Sequence, residues 1–269
     1  MVTCISYGDK KYCGAAKLNL ESARDHGADN TILYGPEDLP LGFKLRNWRI
    51  YYGRTGRRFK RKGAGYWVWK PYIINETLKA LNEGDILIYS DGASVYVGDI
   101  ANIIETMDQE KLNIMIFSLG LQIERQYTKR DAFVLMDADT PEYTDSRQRI
   151  ATYVIFRKCQ ESSEFVNEWL NYSLDYRIIT DEKNKTGKDN YPEFVDHRND
   201  QSILSLLAKK RGIREYRDPS QYGNNESEWP TDIIERSHYP QIWYSTRDWS
   251  ITTKEDFYQK IPNPHKVIG

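Results

Sequence analysis

The stretch GAGYWVWKPY at residues 63–72 is followed by a helical pattern and then by DILIYSDGAS at residues 85–94. Ile86 to Tyr89 form a short, continuous apolar run, which is typical of a strand buried on both faces beneath helices. Pro71 favours the first turn of a helix, and apolar residues recur at helical spacing after it. We therefore expect Asp91 at the carboxyl end of a central strand, the edge at which open α/β sheets bind ligands.

The start of the chain predicts a second strand that ends at the same edge. Residues 2–7 form an apolar strand pattern, and a helix rich in alanine and leucine and another strand follow it. Such a βαβ unit is expected to make a right-handed parallel crossover, which places Tyr7, Gly8 and Asp9 at the same sheet edge as Asp91. No G-x-G-x-x-G motif follows the first strand, which argues against dinucleotide binding.

The rest of the chain continues this α/β pattern. We predict strands at residues 113–119 and 149–157, helices at 99–107, 165–174 and 199–212, and a short helix or turn at 129–136. Residues 180–197 are polar, and we interpret them as an excursion or lid, because the helix after them still needs the same core. From residue 216 aromatic residues are spread among proline and serine, as expected of a tail wrapped over the domain. Without an internal repeat or a second core, residues 1–269 are predicted to form a single domain.

The composition limits the classes of function and the compartment. The formal net charge of −1 predicts no long-range attraction to nucleic acid or membrane. The three cysteines, Cys4, Cys13 and Cys159, are widely spaced and odd in number, which suits a reducing compartment. No apolar run is long enough to span a bilayer, and the first residues lack a signal-peptide core, so a cytoplasmic location is predicted.

One dense charge run departs from this neutral background. Residues Arg54 to Lys62 read RTGRRFKRK, and a solvated loop is the simplest interpretation. Two functional alternatives stay open: a basic arm that closes over a diphosphate, or a peripheral contact with an anionic membrane surface at the inner face. A single basic run on a neutral protein gives little support for nucleic-acid binding.

Lys70 lies where a helix is expected to begin. A cation there opposes the helix dipole unless an anion is also present, so Lys70 and the backbone N–H groups would suit a phosphate. Gly63 and Gly65 predict a flexible turn just before it. Trp67 and Trp69 are more often packing residues than platforms for a ligand.

Two acids have both structural and functional interpretations. Asp91 can act simply as a turn former at the end of its strand. Asp200 follows Asn199, a suitable helix cap, and an acid in a first helical turn is favourable for the dipole. The functional interpretation of Asp200 is a general base or an anchor for a substrate hydroxyl.

Three motifs together resemble bacterial-type glycosyltransferases of the GT-A fold, of the kind found in capsule and O-antigen synthesis. They are GYWVWKPY at residues 65–72, GDILIYSD at 84–91 and HRNDQS at 197–202, and the SYGD sequence at 6–9 fits as well. The resemblance covers most of residues 1–212. It implies a GT-A-like, Rossmann-like mixed sheet flanked by helices. It also implies transfer of a sugar from a nucleotide-diphosphate sugar, with UDP-sugars favoured, to a hydroxyl of a glycan or lipid-linked acceptor.

The resemblance also assigns roles to individual residues. The nucleoside would be held at the end of the first strand by Tyr7, Gly8 and Asp9. Lys70 would hold the diphosphate, and Asp200 would be the acid at the start of the catalytic helix, acting as base in an inverting reaction. In a retaining reaction Gln201 would instead face the anomeric carbon.

The acidic motif departs from the family pattern. Asp91, Gly92 and Ala93 stand where the family has Asp-x-Asp, and Asp91 would meet either the ribose or a divalent cation, Mn²⁺ or Mg²⁺. One carboxylate is a poor site for a hard cation. His238 is a candidate second ligand. The missing second acid favours an alternative function, a non-catalytic carbohydrate- or nucleotide-binding module on the same fold.

Overall fold

A computed structural model describes residues 1–53 and 62–265 of the chain, and most of the basic run, residues 54–61, lies outside this part. The strands are β1 (Val2–Tyr7), β2 (Asn30–Tyr34), β3 (Ile86–Ser90), β4 (Ser94–Tyr96), β5 (Ile114–Ile123), β6 (Arg147–Arg157), β7 (Glu215–Tyr216) and β8 (Trp243–Ser245). The helices and helical turns before β5 are α1 (Cys13–Asp25), α2 (Leu41–Arg46), α3 (Trp48–Tyr52), α4 (Gly63–Tyr66), α5 (Trp69–Ala80) and α6 (Ala101–Gln109). Those after β5 are α7 (Glu124–Tyr127), α8 (Arg130–Leu135), α9 (Pro141–Thr144), α10 (Gln160–Ser173), α11 (Tyr176–Ile179), α12 (Asp200–Lys210), α13 (Thr231–Arg236) and α14 (Lys254–Lys260).

Six strands form one mixed sheet in the order β2-β1-β3-β6-β5-β7. β1 runs parallel to both β2 and β3, as the predicted βαβ opening requires. β6 lies antiparallel between β3 and β5, and β7 is parallel to β5. The predicted α/β architecture, a mixed sheet flanked by helices, is therefore confirmed.

Both faces of the sheet are covered, which explains the continuous apolar run in β3. Leu87 and Tyr89 belong to a core with α5, α10 and α12, while Ile86 and Ile88 belong to a core with α1 and α6. Successive side chains of a strand point to opposite faces, so a strand between two helix layers needs apolar residues at every position. None of the helices in the described ranges is long and apolar enough to cross a bilayer.

The turn before α5, predicted from its glycines, is left-handed and tightly packed. Five successive residues, Gly63 to Trp67, have positive φ. A Cβ on Gly63 would lie 2.2 Å from the Trp67 ring, and one on Gly65 would lie 2.7 Å from the Tyr51 ring. Left-handed backbone costs a non-glycine residue about 1–2 kcal/mol, and Ala64 is one of three such residues here.

The polar excursion at residues 180–197 is irregular but anchored. The carboxylate of Asp131, which is fully buried, accepts from the backbone N–H groups of Lys185 and Thr186 and from the Thr186 hydroxyl. Asp139 accepts from Lys188 and from the Tyr191 hydroxyl. These contacts join the segment to α8 and to the residues just after it, and its role as an excursion or lid stays a prediction.

The C-terminal part, predicted to be a wrapping tail, contributes strand β8 and places the side chain of Trp243 in the core. β8 pairs antiparallel with β4 in a second, two-stranded sheet. Trp243 is fully buried and stacks on Tyr153 of β6, with ring centroids 4.5 Å apart. The prediction of one domain over residues 1–269 stays a prediction, but this part of the tail shares the core of the main sheet.

We expect Trp243→Ala to lower the free energy of unfolding by about 3–5 kcal/mol, because it removes a buried aromatic side chain and leaves a cavity. Trp249→Ala is the matched control, since Trp249 is 45% exposed, and it should change stability by less than about 0.5 kcal/mol. Urea denaturation measures both. A small effect of Trp243→Ala would show that residues beyond 216 contribute little to the core.

Candidate active site

The carboxyl ends of β1 and β3 meet at one edge of the sheet, as predicted. Ile5 is paired with Tyr89, so the two parallel strands run out together at Tyr7 and Asp91. The close approach continues beyond the strands, since a Cβ on Gly92 would lie 3.2 Å from the carbonyl oxygen of Tyr7. This edge therefore contains the residues from both motifs that the sequence singled out.

A buried ammonium group joins the two predicted acids. The Lys70 Nζ lies 3.2 Å from Oδ1 of Asp91 and 2.9 Å from Oδ2 of Asp200. It also donates a hydrogen bond of 3.1 Å to the carbonyl oxygen of Ala151 in β6. Lys70 is only 3% exposed. Three protein oxygens thus lie within 3.2 Å of the Lys70 ammonium, and its contact with a diphosphate stays a prediction.

The two carboxylates differ in their access to solvent. The Asp91 side chain is 37% exposed and that of Asp200 is 4% exposed. Oδ1 of Asp91 also accepts a 2.6 Å hydrogen bond from the hydroxyl of Tyr89. Within residues 1–53 and 62–265, Oδ2 of Asp91 has no hydrogen-bond partner. The site thus presents one fixed carboxylate with an oxygen available to a ligand.

Burial sets the protonation of the inner groups. It raises the pKa of Asp200 to about 6, against the opposing effect of Lys70. Burial lowers the pKa of Lys70, but the two carboxylates outweigh it, and the net pKa is raised. Lys70 therefore stays charged at neutral pH, and Asp200 titrates just below neutrality.

Gln201 is held by two hydrogen bonds to β6. Its Oε1 accepts from the N–H of Ala151 at 3.2 Å, and its Nε2 donates to Oε1 of Gln148 at 3.0 Å. Arg198 donates to the same Gln148 oxygen at 3.2 Å, and its guanidinium lies 3.8 Å from the centre of the Tyr127 ring. Sequence reasoning missed Gln148 and Arg198, although Arg198 belongs to the HRNDQS motif.

A second arginine reaches this edge from the C-terminal part. Ala93 accepts hydrogen bonds from the N–H groups of Thr246 and Arg247, at 3.0 and 3.4 Å, and from the Thr246 hydroxyl. Arg247 is exposed and has a φ of 50°. Burial lowers the pKa of Arg198, and the positive charge of Arg247 contributes to this shift, so the two guanidinium groups interact. Nothing in the local sequence distinguished Arg247, because its position depends on the tail.

The residues predicted to hold a nucleoside lie at the edge, where they contact other residues of the protein. The Tyr7 ring is 7% exposed and stacks on Trp69 at 3.7 Å. Oδ1 of Asp9 accepts from the N–H groups of Lys11 and Tyr12 at the start of α1. A Cβ on Gly8 would lie 2.7 Å from the backbone of α1.

His238, the candidate second metal ligand, lies in a different part of the structure from Asp91. Its neighbours Ser237 and Tyr239 are hydrogen-bonded to Arg217, next to β7 at the far edge of the sheet, three strands from β3. In the described ranges no group of three or more His, Cys, Asp or Glu residues could hold a metal ion. The protein residues therefore do not fit a site that would hold Mn²⁺ or Mg²⁺ by themselves.

His197, which opens the HRNDQS motif, has a structural position. Its Nε2 lies 2.8 Å from the carbonyl oxygen of Ile178, and its Nδ1 accepts from the N–H of Lys129 at 3.2 Å. These partners require a neutral ring protonated at Nε2. Burial is the main cause that lowers its pKa to about 3. His197 thus fixes the approach to α12 and is not a proton carrier at neutral pH.

Comparison with known proteins finds likeness at the level of structure. No family model and no curated protein matches the sequence. Similar solved structures include the apo form of the bifunctional glycosyltransferase WbbM, with a TM-score of 0.49 and 9% identity over 98% of this chain and 50% of that one. Another is the apo form of mouse xyloside xylosyltransferase 1, with a TM-score of 0.45 and 11% identity over 91% of this chain and 97% of that one. A third is the apo form of the glycosyltransferase GlyE of Streptococcus pneumoniae TIGR4, with a TM-score of 0.41 and 16% identity over 98% of this chain and 65% of that one. The chain thus spans half the length of the WbbM chain, and all three of these similar structures are glycosyltransferases.

We expect Lys70→Met to lower the free energy of unfolding by about 3–5 kcal/mol at pH 8, because it leaves a buried carboxylate without its counter-charge. Lys79→Met is the matched control on the same helix, since the Lys79 side chain is 62% exposed, and it should cost less than about 1 kcal/mol. Urea denaturation of both variants measures the difference. Equal, small effects would mean that the buried ammonium does not stabilise the fold.

The raised pKa of Asp200 predicts a pH-dependent stability. Between its ordinary value of 3.8 and about 6, the folded chain binds a proton here that the unfolded chain releases. The stabilisation is complete below pH about 4 and is lost as the pH rises through about 6. Asn cannot titrate, so the stability of Asp200→Asn relative to the parent should rise across this range, by about 3 kcal/mol at most. The measurement is urea denaturation at several pH values, with the exposed Asp232→Asn as control, and a flat or falling difference would contradict the raised pKa.

Proposed function

We propose that the chain is a glycosyltransferase that moves a sugar from a nucleotide-diphosphate sugar, with UDP-sugars favoured, to a hydroxyl of a glycan or lipid-linked acceptor. The observation that supports this most directly is the carboxylate of Asp91, which is partly exposed to solvent at the carboxyl edge of β3. A buried ammonium and a second, enclosed carboxylate hold it in place. Fixed charged groups at this edge of an α/β sheet are typical of a ligand site.

In this proposal Asp91 is the group that meets substrate. A general base must come within hydrogen-bond distance of the hydroxyl that it deprotonates. The enclosed Asp200, expected from the sequence to be that base, is less accessible than Asp91. We therefore assign contact with the acceptor hydroxyl or the donor ribose to Asp91, and give Asp200, Lys70 and Gln201 the role of positioning it.

The reaction would proceed by displacement at the anomeric carbon. The acceptor oxygen forms the new bond to that carbon as its proton passes to a carboxylate, and the bond from carbon to the diphosphate oxygen breaks. The nucleoside diphosphate leaves with one more negative charge, which nearby cations stabilise. Lys70 is buried among three protein oxygens. We therefore propose that Arg198 and Arg247 bind the diphosphate. Asp91 is the acid of the edge that we propose would meet a divalent cation brought by the donor.

The test measures both binding and turnover. Calorimetry with UDP- and GDP-sugars, with and without Mn²⁺, should show binding of at least one donor by the parent chain. Asp91→Asn should lower donor hydrolysis or transfer by about 10²–10⁴-fold, the usual contribution of a positioned proton acceptor. Asp232→Asn, an exposed acid on α13, is the control and should keep full activity. No binding of any nucleotide sugar, or a fully active Asp91→Asn, would contradict the proposal.

A second candidate function is a non-catalytic carbohydrate- or nucleotide-binding module. Ala93 in place of a second acid favours it, as does the absence of a three-residue metal group in the described ranges. Such a module would bind a nucleotide sugar with an affinity that Asp91→Asn reduces, yet release no free nucleotide. Nucleotide release during long incubation with donor and acceptor separates the two functions.

A further inference from the structure

Three exposed aromatic side chains lie around the edge that carries Asp91. They are Tyr12, just before α1, and Tyr222 and Trp249 in the C-terminal part, with exposed fractions of 36%, 43% and 45%. We call these three residues the aromatic rim. Large aromatic rings are mostly covered in folded chains, and exposed rings beside a group of charged residues are typical of a ligand site.

Two rings of the rim share a cation. The Nζ of Lys11 lies 5.0 Å from the centre of the Trp249 ring and 5.4 Å from the centre of the Tyr12 ring. The C-terminal part also packs directly on the start of α1, since a Cβ on Gly14 would lie 2.6 Å from Cγ2 of Thr252. Trp249 is therefore held beside the segment that follows β1, although the two come from opposite ends of the chain.

The third ring lies beside Arg247, the cation of the proposed diphosphate contact. The Arg247 guanidinium is 5.0 Å from the centre of the Tyr222 ring. Gln221 holds this segment in place, because its side chain makes two hydrogen bonds of 2.9 Å with the backbone of Ser245 in β8. Arg247 itself donates its backbone N–H to Ala93, just after the end of β3. Tyr222 and Arg247 thus lie together at the edge of the candidate site.

The spacing between the rim and Arg247 suits a nucleotide. Trp249 follows Arg247 by two residues, so their Cα atoms are at most about 7 Å apart. In a nucleoside diphosphate one ribose separates the phosphates from the base, so a base lies at a comparable distance from a cation that binds the phosphates. The ring of Tyr7, which the sequence predicted for the nucleoside, is stacked on Trp69. The rim offers the exposed aromatic faces that Tyr7 does not.

We infer that the base of the donor nucleotide stacks on Trp249 and lies against Tyr12 and Lys11. Every base has a flat π-face, so it packs on an exposed aromatic ring whatever its identity. The Lys11 ammonium can donate to a carbonyl oxygen of uracil or guanine. The Tyr222 ring packs on the guanidinium of Arg247 and positions it for the diphosphate. The inference rests on the proposed function, because it takes the donor to be a nucleotide-diphosphate sugar.

The experiment is calorimetric titration of the full chain with UDP and with GDP, in the absence of any sugar. Trp249→Ala should weaken binding of the nucleotide by about tenfold or more, because it removes the ring on which the base stacks. Tyr12→Ala should weaken it by about fivefold. Trp249→Phe keeps a flat aromatic face and should stay within about threefold of the parent.

Tyr258→Ala is the matched control, because Tyr258 is a 52% exposed ring of the same C-terminal part. It follows Lys254 by four residues on α14, and the Lys254 ammonium pairs with Glu21 and Asp25. These two acids lie at the other end of α1 from Tyr12. The Tyr258→Ala variant should therefore bind the nucleotide as the parent does.

A second measurement locates the base. The seven tryptophans each give an indole N–H signal in the NMR spectrum of the isotope-labelled chain, and the signal that Trp249→Ala removes identifies Trp249. That signal should shift when the nucleotide is added. The signal of Trp48, which is 51% exposed on α3, should stay where it is.

The outcomes separate this inference from the proposed function. A parent chain that binds neither UDP nor GDP would contradict both. A nucleotide that binds the parent and Trp249→Ala equally, or that leaves the Trp249 signal unshifted, would overturn the inference and leave the proposed function standing. A shift of the Trp249 signal by methyl glucoside but by neither nucleotide would assign the rim to the acceptor, and would also overturn the inference.

Discussion

The buried ammonium of Lys70 is the contact on which the arrangement of the site depends. It joins four parts of the chain: α5 through Lys70 itself, the end of β3 through Asp91, the start of α12 through Asp200, and β6 through the carbonyl of Ala151. Removing an ammonium and a carboxylate from water costs several kcal/mol per ion, and that cost is offset only while all partners stay in place. The contact thus fixes helices more than a hundred residues apart in the sequence relative to one strand end.

A second buried ion pair joins Glu124 and Lys209, and Gln148 links it to Gln201, the residue after Asp200. Glu124 is fully buried and accepts from Thr128, Ser205 and Lys209. Gln148 donates to Glu124 and accepts from both Gln201 and Arg198. Gln201 in turn accepts from the N–H of Ala151, whose carbonyl oxygen accepts from Lys70, so hydrogen-bonded residues of β6 and α12 lie between the two buried charge pairs.

Strained backbone occurs at the three segments that border this edge. The left-handed residues 63–67 precede Lys70, Asn199 with a φ of 50° precedes Asp200, and Arg247 with the same φ is hydrogen-bonded to Ala93. Each such conformation costs about 1–3 kcal/mol in a non-glycine residue and persists only where the surrounding packing enforces it. These strained residues lie in segments that border Asp91. Strained backbone of this kind clusters at functional sites, where it lowers stability and fixes the geometry of the site.

The sequence by itself determined the α/β alternation, the double-sided burial of β3 and the position of Asp91 at a strand end, because these follow from local periodicity and from residues a few positions apart. It also predicted that Asp91 and Lys70 would lie together. It could not show that Asp200 shares the same ammonium, that the Tyr7 ring is covered by Trp69, or that His238 lies three strands away. Nor could it place Arg247, which reaches the edge only because β8 pairs with β4. Those facts are decided by contacts between residues distant in the chain, whose energies depend on burial and three-dimensional neighbours and leave no periodic trace in the sequence.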